Sequence, residues 1–179
     1  MNRYVIFLRG VNVGGHNVVK KEDLKKAFTS LGLKNVSTYK QSGNIVFDTE
    51  THPDAIKKKI QKKLGSLLNR EVGIFILALD KIEGIVASDP FMRINEPKTS
   101  CWVTFMSKVP ELRFKMPMNI PRADAEVIYV RDNIAYSVTR GYGDGGRPTP
   151  FIESKYNVQA TTRSWAILNG IVETYWKRA

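Results

Sequence analysis

Two glycine-containing segments carry the residues best suited to chemistry. Arg9-Gly10-Val11-Asn12-Val13-Gly14-Gly15 ends an apolar run, and Gln41-Ser42-Gly43-Asn44 sets a similar mixture between two further runs. Glycine lets the backbone take a positive φ or approach another group closely, and N–H groups exposed in such loops hold anions. With Arg9 as the charge, the pattern points to a phosphate or another oxyanion. A third segment, Thr161-Thr162-Arg163-Ser164-Trp165, reads as a capped helix start. An arginine in a first turn opposes the helix dipole unless it meets an acid or an anion, so Arg163 joins the candidate set.

Sharper motifs fail on their chemistry. Gly10 to Asn17 has the spacing of a nucleotide-triphosphate loop, but His16 and Asn17 stand where lysine and a hydroxyl are required. Lys40, Gly43, Ile45 and Phe47 fit the third-strand motif of RNA-recognition domains, yet Ser42 and Asn44 occupy the base-stacking positions. His16, His52 and the single Cys101 form no metal or nucleophile motif. Asp144 and Glu153, which flank a Gly/Pro loop, read as a turn residue and a solvated helix acid. No acid–base pair can be named, and the sequence specifies neither an enzymatic activity nor a cofactor.

The elements that must position these loops are legible from periodicity. Residues 4–8 predict a buried strand; Leu24, Ala27, Phe28 and Leu31 an amphipathic helix; Val36, Thr38 and Tyr39 a strand that turns through Gln41–Asn44 into Ile45-Val46-Phe47. Thr51, Pro53 and Asp54 mark a helix start whose buried stripe is Ile56, Ile60, Leu64, Leu67 and Leu68. Ile74-Phe75-Ile76-Leu77 is the next strand, and its continuous apolarity predicts cover on both faces. The order β-α-β-β-α-β is the ferredoxin-like plan. The second half reads as a weaker copy. It has strands at 102–106, 127–130 and 134–138, a proline-bounded segment around Glu111–Phe114, a short helix near 151–156 and a final helix, with no last strand. Trp165, Leu168 and Val172 should be buried on that helix, with Tyr175 and Trp176 extending the stripe. The expected fold is α+β, with two fused ferredoxin-like halves, 1–79 and 80–179, the second incomplete, in one compact fused unit.

Composition bounds the setting. The chain has 179 residues, 42% apolar and 25% charged, which suits a globular protein. A lone cysteine makes no internal disulfide, no run reaches the ~20 apolar residues of a membrane span, and Arg9 interrupts the N-terminal apolar run too early for a signal peptide. A cytoplasmic location without membrane partners is expected. Lys and Arg number 28 against 17 Asp and Glu, and the excess is concentrated in residues 1–79, net +8 against +3 for the rest. Five of the lysines, Lys57, Lys58, Lys59, Lys62 and Lys63, fall on one predicted helix.

Three segments resemble domain-of-unknown-function family 1697: Phe7–Gly15, Thr38–Phe47 and Ala160–Trp165. The third departs from the family's usual Thr-Thr-Arg-Asn-Trp-Asn-Thr-Val at Ser164, Ala166 and Ile167. The resemblance implies an α+β fold built on ferredoxin-like halves and implies no activity. The leading functional expectation is a binding module for a phosphate-bearing small ligand such as a nucleotide, using Arg9, Asn12, Gly14, Gly15, Gln41, Ser42, Asn44 and Arg163. Its alternative is sequence-tolerant nucleic-acid binding through the lysine-rich first half.

Overall fold

A computed structural model describes residues 1–11, 19–40, 43–111, 113–141 and 148–176. The chain divides into two compact units, Met1–Ile82 and Glu83–Ala179.

The first unit runs β1 (Asn2–Leu8), α1 (Lys21–Thr29), β2 (Lys34–Thr38), β3 (Asn44–Thr49), α2 (Pro53–Leu68) and β4 (Ile74–Ala78). Its sheet order is β2-β3-β1-β4 with antiparallel neighbours, the ferredoxin-like arrangement. Strand alternation decides what each face receives. Tyr4, Ile6, Leu8, Ile45 and Phe47 point to one side, where Leu24, Ala27 and Phe28 of α1 and Ile56, Ile60 and Leu64 of α2 close the core. Phe47 is its centre, stacked on Tyr4 at 5.9 Å and tilted against Phe28 at 6.1 Å. Val5, Phe7 and Val46, on the other side, are also buried. Both faces of β1 and β3 are therefore closed. β4 is less so: it is an edge strand in which only Ile74 is fully buried and the next four residues, on both faces, are half-buried. At the margin, Asp48 ties three segments together. Arg3 donates to it twice, at 2.7 and 3.0 Å, and Asn35 donates at 2.8 Å.

α2 begins at Pro53 as expected, but its cap is His52 rather than Thr51: the His52 ring nitrogen accepts from the Asp54 N–H. β4 passes without a loop into α3 (Leu79–Ala87), where the sequence suggested only a connection.

The second unit contains β5 (Thr99–Met106), β6 (Met118–Asn119), β7 (Ala125–Arg131), β8 (Ile134–Arg140), α4 (Thr149–Tyr156), β9 (Ala160–Ser164) and α5 (Trp165–Tyr175). Its order, β6-β7-β8-β5-β9, repeats the first sheet with β6 added at the edge. Two expectations change here. A last strand exists: β9 pairs with β5 from Trp102↔Ser164 to Met106↔Ala160. Among the described residues no helix lies between β5 and β6; the segment there is irregular, and Phe114 and Met116 from it pack on the core that α4 covers. The half is incomplete at its start, not its end. On α5 the fully buried apolar side chains are Leu168 and Ile171, while Trp165 and Val172 are half-buried. Trp165 meets Phe91 edge-on at 5.2 Å.

Candidate functional site

Antiparallel pairing brings the end of β1 to the starts of both its neighbours. Phe7 stands opposite Asn44 and Leu8 opposite Ile74. Past the strand, the Leu8 N–H donates to the Gly43 carbonyl and the Arg9 N–H to the Gly73 carbonyl, both at 2.9 Å. Arg9, Gly43-Asn44 and Gly73 thus share one end of the first sheet.

Gly10 lies at φ +69°, a left-handed conformation that costs glycine little. Its carbonyl accepts from Nη2 of Arg70 at 2.6 Å. Arg70 reaches it because α2 ends on Asn69 at φ 51°, which turns the chain so that the Arg70 N–H closes on the Gly65 carbonyl. Nε of Arg70 is shut from solvent without an acceptor. Gly73 answers a different need: a Cβ there would stand 3.2 Å from Cβ and 3.3 Å from Cδ of Arg9, so its bare backbone is what lets the Arg9 side chain lie across it. Arg70 and Gly73 were not singled out by sequence reasoning. The signals were present, an asparagine after a helix and a glycine before a strand, but neither names a partner some 60 residues away.

Asn44 is buried, and its side chain donates to the Tyr39 carbonyl at 3.2 Å while its own carbonyl accepts from the Tyr39 N–H, so it closes the β2–β3 hairpin. Asn12, Gly14, Gly15, Gln41 and Ser42 lie outside the described residues, as do His16, Asn17 and Asp144.

Arg163 is not in a helix. It sits on β9 opposite Val103, in the second unit, so the argument from an opposing helix dipole falls away. Its Nη1 donates to Thr161 Oγ1 at 2.9 Å and to the Thr162 carbonyl at 2.8 Å, and burial lowers the guanidinium pKa to about 10, leaving it charged at neutral pH. Thr161 and Thr162 are strand residues, and Ser164 at the N-cap of α5 makes no side-chain cap bond. Thr162 instead lies within 2.8 Å of the Thr104 hydroxyl and 2.5 Å of that of Thr149, a three-hydroxyl chain. Glu153 accepts from the Ala160 N–H at 2.7 Å, fixing the entry to β9.

Burial, then the nearby Asp89, raises the Cys101 thiol pKa, which makes the nucleophilic thiolate scarce at neutral pH. Among the described residues no group of three His, Cys, Asp or Glu is placed to hold a metal ion, and no helix is long and apolar enough to cross a membrane.

Fold and site together define an α+β protein of two ferredoxin-like halves, with an arginine- and glycine-rich end on its first sheet. The chain belongs to the family described as protein of unknown function (DUF1697), whose model matches residues 1–136. The match stops within β8, before the 160–165 segment. A solved structure, the conserved bacterial protein SP0830 from Streptococcus pneumoniae, shares the fold: TM-score 0.68 at 18% identity, covering 96% of this chain and 97% of that one. Comparison with curated proteins gave no match.

Proposed function

We propose that the end of the first sheet binds a phosphate-bearing small ligand such as a nucleotide. The observation that carries the reading is two arginines at one sheet end, Arg70 bound to the Gly10 carbonyl and Arg9 lying across Gly73, where both glycine-containing loops spring. A guanidinium with a desolvated, unpartnered N–H gains more from an oxyanion than from water. The reading also assigns to the ligand Asn12, Gly14, Gly15, Gln41 and Ser42, which lie within a few residues of Gly10 and Gly43 in the sequence. Arg163 belongs to the other unit and has donor contacts of its own, so the reading does not depend on it. The one cysteine, with its raised pKa, suits a reducing cytoplasmic setting.

Calorimetric titration with inorganic phosphate, nucleoside monophosphates and sugar phosphates tests this. Loss of one charge-assisted hydrogen bond, about 1.5–3 kcal/mol, should weaken binding ten- to a hundredfold in Arg9→Ala and again in Arg70→Ala. Binding that survives both substitutions, or no binding by the unaltered protein, defeats the proposal.

A further inference from the structure

The outward side of α2 carries charge that the fold does not use. Lys57, Lys58, Lys59, Lys62 and Lys63 are all exposed, while the helix's apolar stripe of Ile56, Ile60 and Leu64 faces the core. Helical spacing sets Lys58 and Lys62 opposite that stripe, Lys59 beside them at about 100° from its centre, and Lys57 and Lys63 on its flanks. Among the described residues none of the five is ion-paired. The only acid on the helix is Asp54 in its first turn, beside His52. Lys58/Lys62 and Lys59/Lys63 stand four residues apart and Lys59/Lys62 three apart, spacings at which like charges repel across a helix surface. α1, on the same side of the sheet, sets Glu22 and Asp23 against Lys21, Lys25 and Lys26. α2 does not, and a local rule broken three times on one face marks a surface kept for something outside the fold.

The central strands of the sheet are closed to bases. α1 and α2 cover one face, and Val5, Phe7 and Val46 are buried on the other, so among the described residues β1 and β3 present no exposed ring for bases to stack on. We infer that the outer face of α2 is a docking surface for the nucleic-acid backbone, with Lys58, Lys59 and Lys62 holding phosphates and no side chain reading bases. A rise of 1.5 Å per residue separates Lys58 from Lys62 by about 6 Å along the axis, close enough for their side chains to reach neighbouring phosphates. An anionic membrane meets the same charge, but stable attachment there needs a second signal such as an inserted apolar face. The apolar stripe of α2 is turned to the core, and Leu67, 42% exposed, is the only exposed large apolar residue on the helix.

Fluorescence anisotropy with a labelled random-sequence duplex tests the surface. Neutralising three phosphates gives a log–log salt slope near −2.7, so affinity should fall about fortyfold between roughly 50 and 200 mM salt. Lys58→Glu/Lys59→Glu/Lys62→Glu should abolish binding, whereas Lys108→Glu/Lys115→Glu/Arg122→Glu, an equal charge change in the second unit, should leave most of it. Thermal melts confirm that both variants fold. Should the first variant fail to fold, the Lys→Gln triple replaces it and should flatten the salt slope. Equal losses in the two variants would mean net charge alone is responsible and overturn the surface. So would binding to phosphatidylglycerol vesicles without binding to the duplex, or no binding at the lower salt.

Discussion

The two sheets share a strand order, β2-β3-β1-β4 and β7-β8-β5-β9, but differ in what faces the helices. Under α1 and α2 the first sheet presents Tyr4, Ile6, Leu8, Ile45 and Phe47, an almost wholly apolar surface. The corresponding side of the second sheet presents Trp102, Thr104, Ser137, Thr139 and Thr162 beside Met106 and Ala135. Two helices seal a sheet from water. One helix and an irregular segment cover the second, and its buried strand hydroxyls are met in part by hydrogen bonds: Thr104 to Thr162 to Thr149, and the Trp102 indole N–H donating to Thr139 at 3.1 Å, while the buried Ser137 hydroxyl has no partner.

If that contrast is right, the largest loss should come from the sealed side. Phe47→Ala empties the centre of the first core and should cost about 3–5 kcal/mol, read from chemical denaturation. Phe114, the half-buried ring from the segment where a helix is missing, lies 5.7 Å edge-on from Tyr156 with the Lys155 ammonium 4.3 Å from its centre. Its truncation should cost only about 1–2 kcal/mol. Equal costs at the two positions would break the comparison, because the irregular segment would then be packing as well as a helix.

A smaller effect sharpens it. Thr104→Val keeps shape while removing one hydroxyl of the chain, and should lower stability by about 1 kcal/mol. A gain in stability would show that the polar strip is tolerated rather than needed. The smallest effect lies outside physiological pH. Tyr136, stacked on Tyr129 at 4.4 Å, has its pKa pushed up from 10.0 to about 12, chiefly by burial. Its neutral form is the one the fold favours, so this contribution is intact below pH 10 and is lost as pH rises towards about 12. Melting temperatures across that window should fall more steeply for the unaltered protein than for Tyr136→Phe.

Where one structural period ran uninterrupted, the sequence was readable. β1, α1, α2 and the β7–β8 hairpin are such segments, each with a clean stripe or alternation and a turn at its end. β9 was hidden because Ala-Thr-Thr-Arg-Ser offers the hydroxyls of a helix cap, and only its pairing with β5 makes it a strand. α3 was hidden because β4 runs into it without punctuation. At the candidate site, Arg9 stood out by its glycine neighbour. Arg70 could not, since its role arises from a contact closed across the whole of the first unit.

Both units finish with a strand that becomes a helix at the next residue, Ala78 to Leu79 and Ser164 to Trp165. Such a joint has no slack. Strand pairing fixes the backbone on one side, and one inserted residue would swing the helix on the other by about 100°. In α3 that rotation would carry Leu79 and Ile82 out of their buried positions and bring exposed Asp80 and Lys81 towards the interior. Length at these two joints is therefore frozen by phase, and insertions that persist in relatives should fall in the turns instead.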